Sequence, residues 1–301
     1  MKVIPPLTIT DANLTSSTCA EPSAGETAWV SGTTYAVGDI RIRTATHRQY
    51  QRVIAGAGTT APELDTTNWL DVGPTNKWAM FDLLRNTQTS QASPLTVVIT
   101  PGMRINSLAL LGLLADTATA TVTVAGVAVY SRTQNLGTRE TLDWYDYFFG
   151  PFSFMPSWVL FDLPPYTNAV ITVTLTRATG PAMCGSLVLG SCVYIGGVQY
   201  NSESDVLNFS TVNRDAFGNS ILVPRRNIPK TNQTLRCDKS RIDMVRDLRT
   251  LLNAAPAVWC GVEDSTDGLF GAFEILGYYR QFTINVDQPT TALITLQLEE
   301  I

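Results

Sequence analysis

Histidine is almost missing from this chain. His47 is the only one in 301 residues, and that shortage excludes most hydrolytic chemistry. A Ser-His-Asp triad needs an imidazole beside a nucleophile, yet neither a Gly-x-Ser-x-Gly elbow nor a cysteine nucleophile accompanies His47 between Thr46 and Arg48. Most zinc and non-haem iron sites, which take two or three imidazoles, fall to the same count. Charge is scarce too: 16% of residues are charged, against roughly 25% in ordinary soluble domains. The net charge is −5, and basic residues gather nowhere more densely than at Arg225, Arg226 and Lys230, so no nucleic-acid partner is expected. Long apolar runs are absent. The richest, Leu108 to Ala115, falls far short of the ~18 residues of a membrane helix, and no membrane insertion is expected. The opening residues Met1-Lys2-Val3-Ile4-Pro5-Pro6-Leu7-Thr8 lack the apolar stretch and cleavage site of a secretion signal, which points to synthesis in a cytoplasm. Five scattered cysteines, at 19, 184, 192, 237 and 260, include no C-x-x-C pair and read as buried thiols rather than a disulfide framework or zinc knuckle. Gly56 and Gly58 are not followed by Gly-Lys-Ser/Thr, so no phosphate cradle is written. No metal or other cofactor is expected.

What the chain does have is threonine, glycine, proline and short alternating apolar runs. Thr119 to Val124, then Gly126, then Val127 to Tyr130 reads as a hairpin with threonine on one face. Val170 to Thr176 repeats the alternation, and Leu95 to Ile99, Ile105 to Leu114, Gly185 to Gly190 and Cys192 to Gly197 read as further strands. Closely spaced strands with glycine and proline turns predict a mainly β protein built on a sandwich or jelly roll. Residues 1–26 lack a sustained period and read as an extended N-terminal arm. Residues 27–73 have the length of a small β-module, 74–200 that of a β-sandwich, and 201–301 form an α+β domain. In the last of these, Ile242, Val245, Leu248 and Leu252 recur at helical spacing, predicting a helix over about 238–255. Ser240 and Asp243 resemble its capping box, and Pro256 its stop. The arm through about Ser23 and the final strand, with Ile294, Leu296 and Leu298 on one side, are candidate tie-points to neighbouring chains. Removing residues 1–15 is then expected to leave the domains folded.

Paired carboxylates are the one catalytic option to weigh. Asp143 and Asp146 lie among Trp144, Tyr145, Tyr147, Phe148 and Phe149, a setting that would suit a sugar cleft. The plainer reading is an aromatic loop or short strand packed onto a sandwich, with the acids at its rim. Asp264 and Asp267 before Gly268 suit a polar turn better than a calcium loop. No catalytic residue is assigned, and the chain is expected not to be an enzyme.

Two resemblances follow from particular residues. Ala28-Trp29-Val30-Ser31-Gly32-Thr33-Thr34-Tyr35-Ala36-Val37-Gly38-Asp39, with Tyr50 and Trp69 further on, resembles the chitin-binding type-3 class of carbohydrate-binding module. That resemblance implies a carbohydrate-binding role for Trp29, Tyr35, Tyr50 and Trp69. Where that family carries exposed paired aromatics the chain reads Arg52-Val53-Ile54, so the four rings read as module core before they read as a sugar platform. The wider chain is similar to phage and prophage tail proteins containing a galactose-binding-like jelly roll. Asn76 to Asp82, Leu108 to Leu113, Gly185 to Gly197, Pro256 to Trp259, Leu276 to Tyr279 and Leu296 to Glu300 carry that similarity. It implies a structural virion protein of a tail tip or baseplate. Its expected partners are other tail proteins, copies of itself and a host cell-surface glycan. Adsorption to a receptor polysaccharide and carboxylate-dependent cell-wall hydrolysis are the alternatives.

Overall fold

The computed structural model describes residues 1–138, 142–150, 153–262, 270–286 and 288–301. The chain is mainly β, as its alternating runs predict, and divides into two compact units: Leu7–Val188, and Met1–Pro6 together with Leu189–Ile301.

In the first unit a five-stranded antiparallel sheet runs in the order Val127–Asn135, Thr117–Val124, Ala169–Thr176, Leu95–Ile99 and Leu14–Ser17. Its middle strands bury every second residue. Ala118, Ala120, Val122, Ile171, Val173, Leu175, Val97 and Ile99 lie in the core. The threonines between them form cross-strand pairs on the other face, Thr119 with Thr133 at 3.0 Å and Thr96 with Thr174 at 3.1 Å. Ala125 and Gly126, at φ 50° and 80°, make the tight turn of the predicted hairpin. A second sheet orders Ser157–Leu160, Ser107–Leu111 and Ser186–Gly190. Its last two strands are buried along their whole length, giving a β-sandwich-like body. The small module is a three-stranded sheet of Ile40–Arg43, Arg48–Arg52 and Trp69–Pro74, with Thr34–Tyr35 paired to Gly56–Ala57. Asp143 opens a six-residue helix, α1 (Trp144–Phe149), carried between the paired strands Gly137–Thr138 and Ser153–Phe154.

The second unit is one antiparallel sheet with a helix on it. The order is Val193–Tyr194, Lys2–Ile4, Ala257–Cys260, Glu274–Asn285, Thr291–Glu300, Asn227–Asp238 and Gly197–Val198, and Glu203–Asn208 also pairs with Asn227–Asp238. Helix α2 (Ile242–Leu251) follows a 3-10 turn at Lys239–Arg241 and buries Val245 and Leu248, joined by Leu252, against Trp259, Ile275, Leu296 and Leu298. The helical spacing is therefore confirmed, but the capping box is not formed. Arg241 occupies the cap position without a side-chain hydrogen bond. The polar face carries ion pairs from Arg246 to Asp243 (3.3 Å) and Asp247 (3.4 Å).

The stretch expected to be an extended arm contains two strands. Lys2–Ile4 pairs with Val193–Tyr194 on one side and Ala257–Cys260 on the other. Met1, Val3 and Ile4 are wholly buried, and the Met1 amine donates to the Gly196 carbonyl. The final strand, Thr291–Glu300, is likewise flanked on both sides. Lys2–Ile4 and the final strand thus have their backbone groups paired inside the chain, which corrects the expectation for those two segments, since central strands have no open edge to lend. Leu14–Ser17, the other strand of the stretch, lies at the edge of its five-stranded sheet, paired with Leu95–Ile99 alone. Four cysteines are buried, Cys192 is half-buried, and none is disulfide-bonded. Among the described residues no helix is long and apolar enough to cross a membrane.

Candidate functional site

Tyr35, Tyr50 and Trp69 form the core of the small module, with Trp29 packed against them. The Tyr35 and Trp69 rings meet edge to face, centroids 5.1 Å apart, and the Tyr35 hydroxyl donates to the Val30 carbonyl at 2.8 Å. Arginines cover faces of these rings. The Arg52 guanidinium, only 3% exposed, lies 5.1 Å from the Trp69 centroid, and Arg43 lies 5.0 Å from that of Trp29. Arg43 is fixed by a bidentate pair to Glu63 (2.8 and 3.0 Å), which holds the Glu63 carboxyl below its ordinary value. The four residues singled out in the sequence are therefore brought together, with their rings engaged in packing. The side chains this module exposes are aliphatic instead, among them Val37, Ile40, Ile54, Leu64 and Leu70.

The lone histidine sits where the sequence gives no hint of it. His47 occupies the turn between Ile40–Arg43 and Arg48–Arg52 at φ 55° and stacks on Trp78, centroids 4.0 Å apart. Its Nδ1 lies 3.0 Å from Glu21 Oε2, and its Nε2 3.0 Å from Asp11 Oδ2. Only the protonated ring donates to both carboxylates at once. Glu21, its side chain 6% exposed against 75% for Asp11, also accepts from the Trp78 indole (2.9 Å) and the Thr75 hydroxyl (2.7 Å). Sequence separations of 26 and 36 residues hide this cluster from any local pattern. Beside it opens a cleft of about 380 Å³ lined by Asp11, His47, Arg48, Trp78, Phe81 and Asp82. Burial pushes the Asp82 carboxyl up from its ordinary value, while hydrogen bonds from Thr87 and the Leu84 amide oppose that shift. Arg48 is engaged by Asp71 at 2.8 Å.

The acid pair among the aromatics is used in capping. Asp143 Oδ1 accepts from the Asp146 amide at 2.8 Å, and Asp146 Oδ2 from the Leu142 amide at 3.3 Å. The expectation of an aromatic loop or strand packed onto the sandwich is corrected: the segment is a helix, and its rings face solvent. Trp144, Tyr145, Tyr147, Phe148 and Phe149 are 56% to 79% exposed, stacking mainly on one another, as Trp144 does on Phe148 and Tyr147 against Phe148. Asp264 and Asp267 lie outside the described residues. A second exposed apolar surface occupies the segment 203–226. There Thr211–Arg214 and Ser220–Val223 form a two-stranded hairpin, with Val212, Ile221 and Leu222 exposed and Phe217 at its tip 91% exposed. Among the described residues no group of three or more His, Cys, Asp or Glu side chains is placed to hold a metal ion.

No protein-family model matches the chain, and a search of curated proteins returns no match.

Proposed function

We propose that this protein is a structural component of a tailed-phage tail tip or baseplate, assembling with copies of itself and with other tail proteins. The observation that carries the reading is exposed apolar surface. Helix α1 and the 211–223 hairpin turn aromatic and branched side chains to solvent, and the small module adds an aliphatic face of its own. Apolar surface gathered into patches marks interaction sites, and subunits of a larger assembly are where so much of it is covered. The low charged fraction agrees with surfaces built for burial. The identity of the assembly rests on the sequence resemblance to tail-module proteins. Electron microscopy of purified particles, with a tag on this chain labelled by gold, tests the reading: label at the tail end supports it, and unlabelled particles overturn it.

A second reading, adsorption to a surface glycan, is favoured by the cleft at His47, where carboxylates, an arginine and aromatic edges converge. It is supported by polysaccharide affinity that falls in Asp82→Asn; binding unaffected by that change removes the cleft from consideration.

A further inference from the structure

Two exposed apolar surfaces of this chain have opposite charge. Helix α1 is aromatic and acidic. At about 100° per residue, Trp144, Tyr145, Tyr147, Phe148 and Phe149 cover an arc of roughly 200°, with Asp146 and the capping Asp143 filling the remainder, and no Lys or Arg lies between Leu142 and Gly150. The hairpin is apolar and basic. Val212 and Leu222 are cross-strand partners on one face, which Arg214 shares two residues on; Arg225 follows at its base, and Arg226 beside it donates to the Ile301 oxygen at 3.0 Å. The carboxylate of that hairpin, Asp215, is turned inward to its own loop, accepting from the Phe217 and Asn219 amides at 2.9 and 2.8 Å.

We propose that α1 of one copy docks on the 211–223 hairpin of a second copy, a head-to-tail contact that repeats from chain to chain. The claim rests on the reading of this protein as an assembly subunit and specifies how its copies join. Area supports a protein occupant. Five aromatic side chains of about 150–250 Å² each, at these exposures, offer roughly 700 Å², close to the ~800 Å² per partner of a standard stable interface. A lipid surface is disfavoured by the sign of the charge, since interfacial helices carry Lys and Arg toward anionic headgroups and α1 carries only acids. Pairing of α1 with α1 sets acid against acid, and hairpin with hairpin sets arginine against arginine. Joining unlike surfaces removes both conflicts, places carboxylates beside guanidinium groups, and leaves each copy with one free end. Contacts of that kind close into rings or extend as filaments.

The test uses the purified full chain and two surface variants: Trp144→Ala with Phe148→Ala, and Val212→Glu with Leu222→Glu. Both change exposed side chains, and circular dichroism with thermal unfolding confirms that each stays folded. In sedimentation the wild type is expected to exceed its monomer mass of 32.8 kDa increasingly with concentration, while each variant alone remains monomeric. Mixed one to one, the variants form a dimer that grows no further, because one supplies an intact hairpin and the other an intact helix. Arg214→Glu, a third variant at an exposed position, is expected to weaken wild-type association at least tenfold. A wild type that stays monomeric at high concentration, a helix variant that still associates alone, or a mixture that stays monomeric overturns the proposal. None of these outcomes bears on whether particles contain the chain, so failure here and failure of the tail-tip reading are told apart.

Discussion

Replacing Glu21 by alanine is expected to be among the most damaging single changes in the unit Leu7–Val188. The carboxylate accepts from three donors: His47 Nδ1 at 3.0 Å, the Trp78 indole at 2.9 Å and the Thr75 hydroxyl at 2.7 Å. Thr75 and Trp78 are buried, so their donors lose their acceptor without gaining water. A buried donor left unsatisfied costs about 1–3 kcal/mol, and two of them with a stranded histidine make about 3–5 kcal/mol, the range for breaking a buried pair. For a unit of this size about 2–4 °C of Tm accompany each kcal/mol, giving a fall of roughly 10 °C. Asp11 supplies the internal comparison. It contacts the same imidazole at 3.0 Å but stands largely in solvent, so Asp11→Ala is expected to cost less than about 1 kcal/mol. Differential scanning calorimetry at neutral pH reads both variants. A Glu21→Ala transition within a degree or two of wild type, or an Asp11→Ala variant that is the worse of the two, refutes the claim that burial sets the value of these contacts.

Removing residues 1–6 is expected to unfold the Leu189–Ile301 unit, because Met1, Val3 and Ile4 are wholly buried and the strand is paired on both sides; loss of the near-ultraviolet signal of Trp259 checks it, and a native signal contradicts it. Thiol reagent at pH 8 should label at most Cys192 in the native chain, since burial pushes Cys19 up to about 11 and Cys184 up to about 12; mass spectrometry showing Cys184 modified before unfolding is the opposing result. Glu63 is held below its ordinary 4.5 by hydrogen bonds from Arg43, so the pair stabilises fully above that value and loses its contribution as pH falls through the depressed one. Arg43→Ala is therefore expected to unfold more easily than wild type by about 1 kcal/mol at pH 7, with the gap closing toward pH 3; a gap independent of pH counts against it.

How much was legible in the sequence depended on the range of the interactions. The threonine-faced strands and α2 could be read because periods of two and 3.6 residues are local records of which face is buried. Helix α1 could not. Six residues hold too little of a period, and Trp, Tyr and Phe favour strands when they pack on a sheet. Here the capping by Asp143 and Asp146 fixes a helical turn, and the rings find no sheet to cover. Lys2–Ile4 was invisible for a similar reason: three residues carry no alternation, and their burial is decided by strands nearly two hundred and more residues away. The four aromatics of the small module were singled out by the resemblance to a carbohydrate-binding module, and they pack together in its core. The resemblance says nothing about which ring faces are covered, and the arginines at 43 and 52 cover two of them by cation–π packing. The His47 cluster depends on contacts from distant segments, so a solitary histidine in the sequence gave only its count.

Quantitative mass spectrometry of virus particles purified from cells that carry the gene tests the account at its centre. A building block of the tail end should be present in intact, nuclease-washed particles at a small fixed number of copies relative to the tail-tube protein, unchanged through further purification. Particles that are complete and infectious without this chain would contradict the account outright.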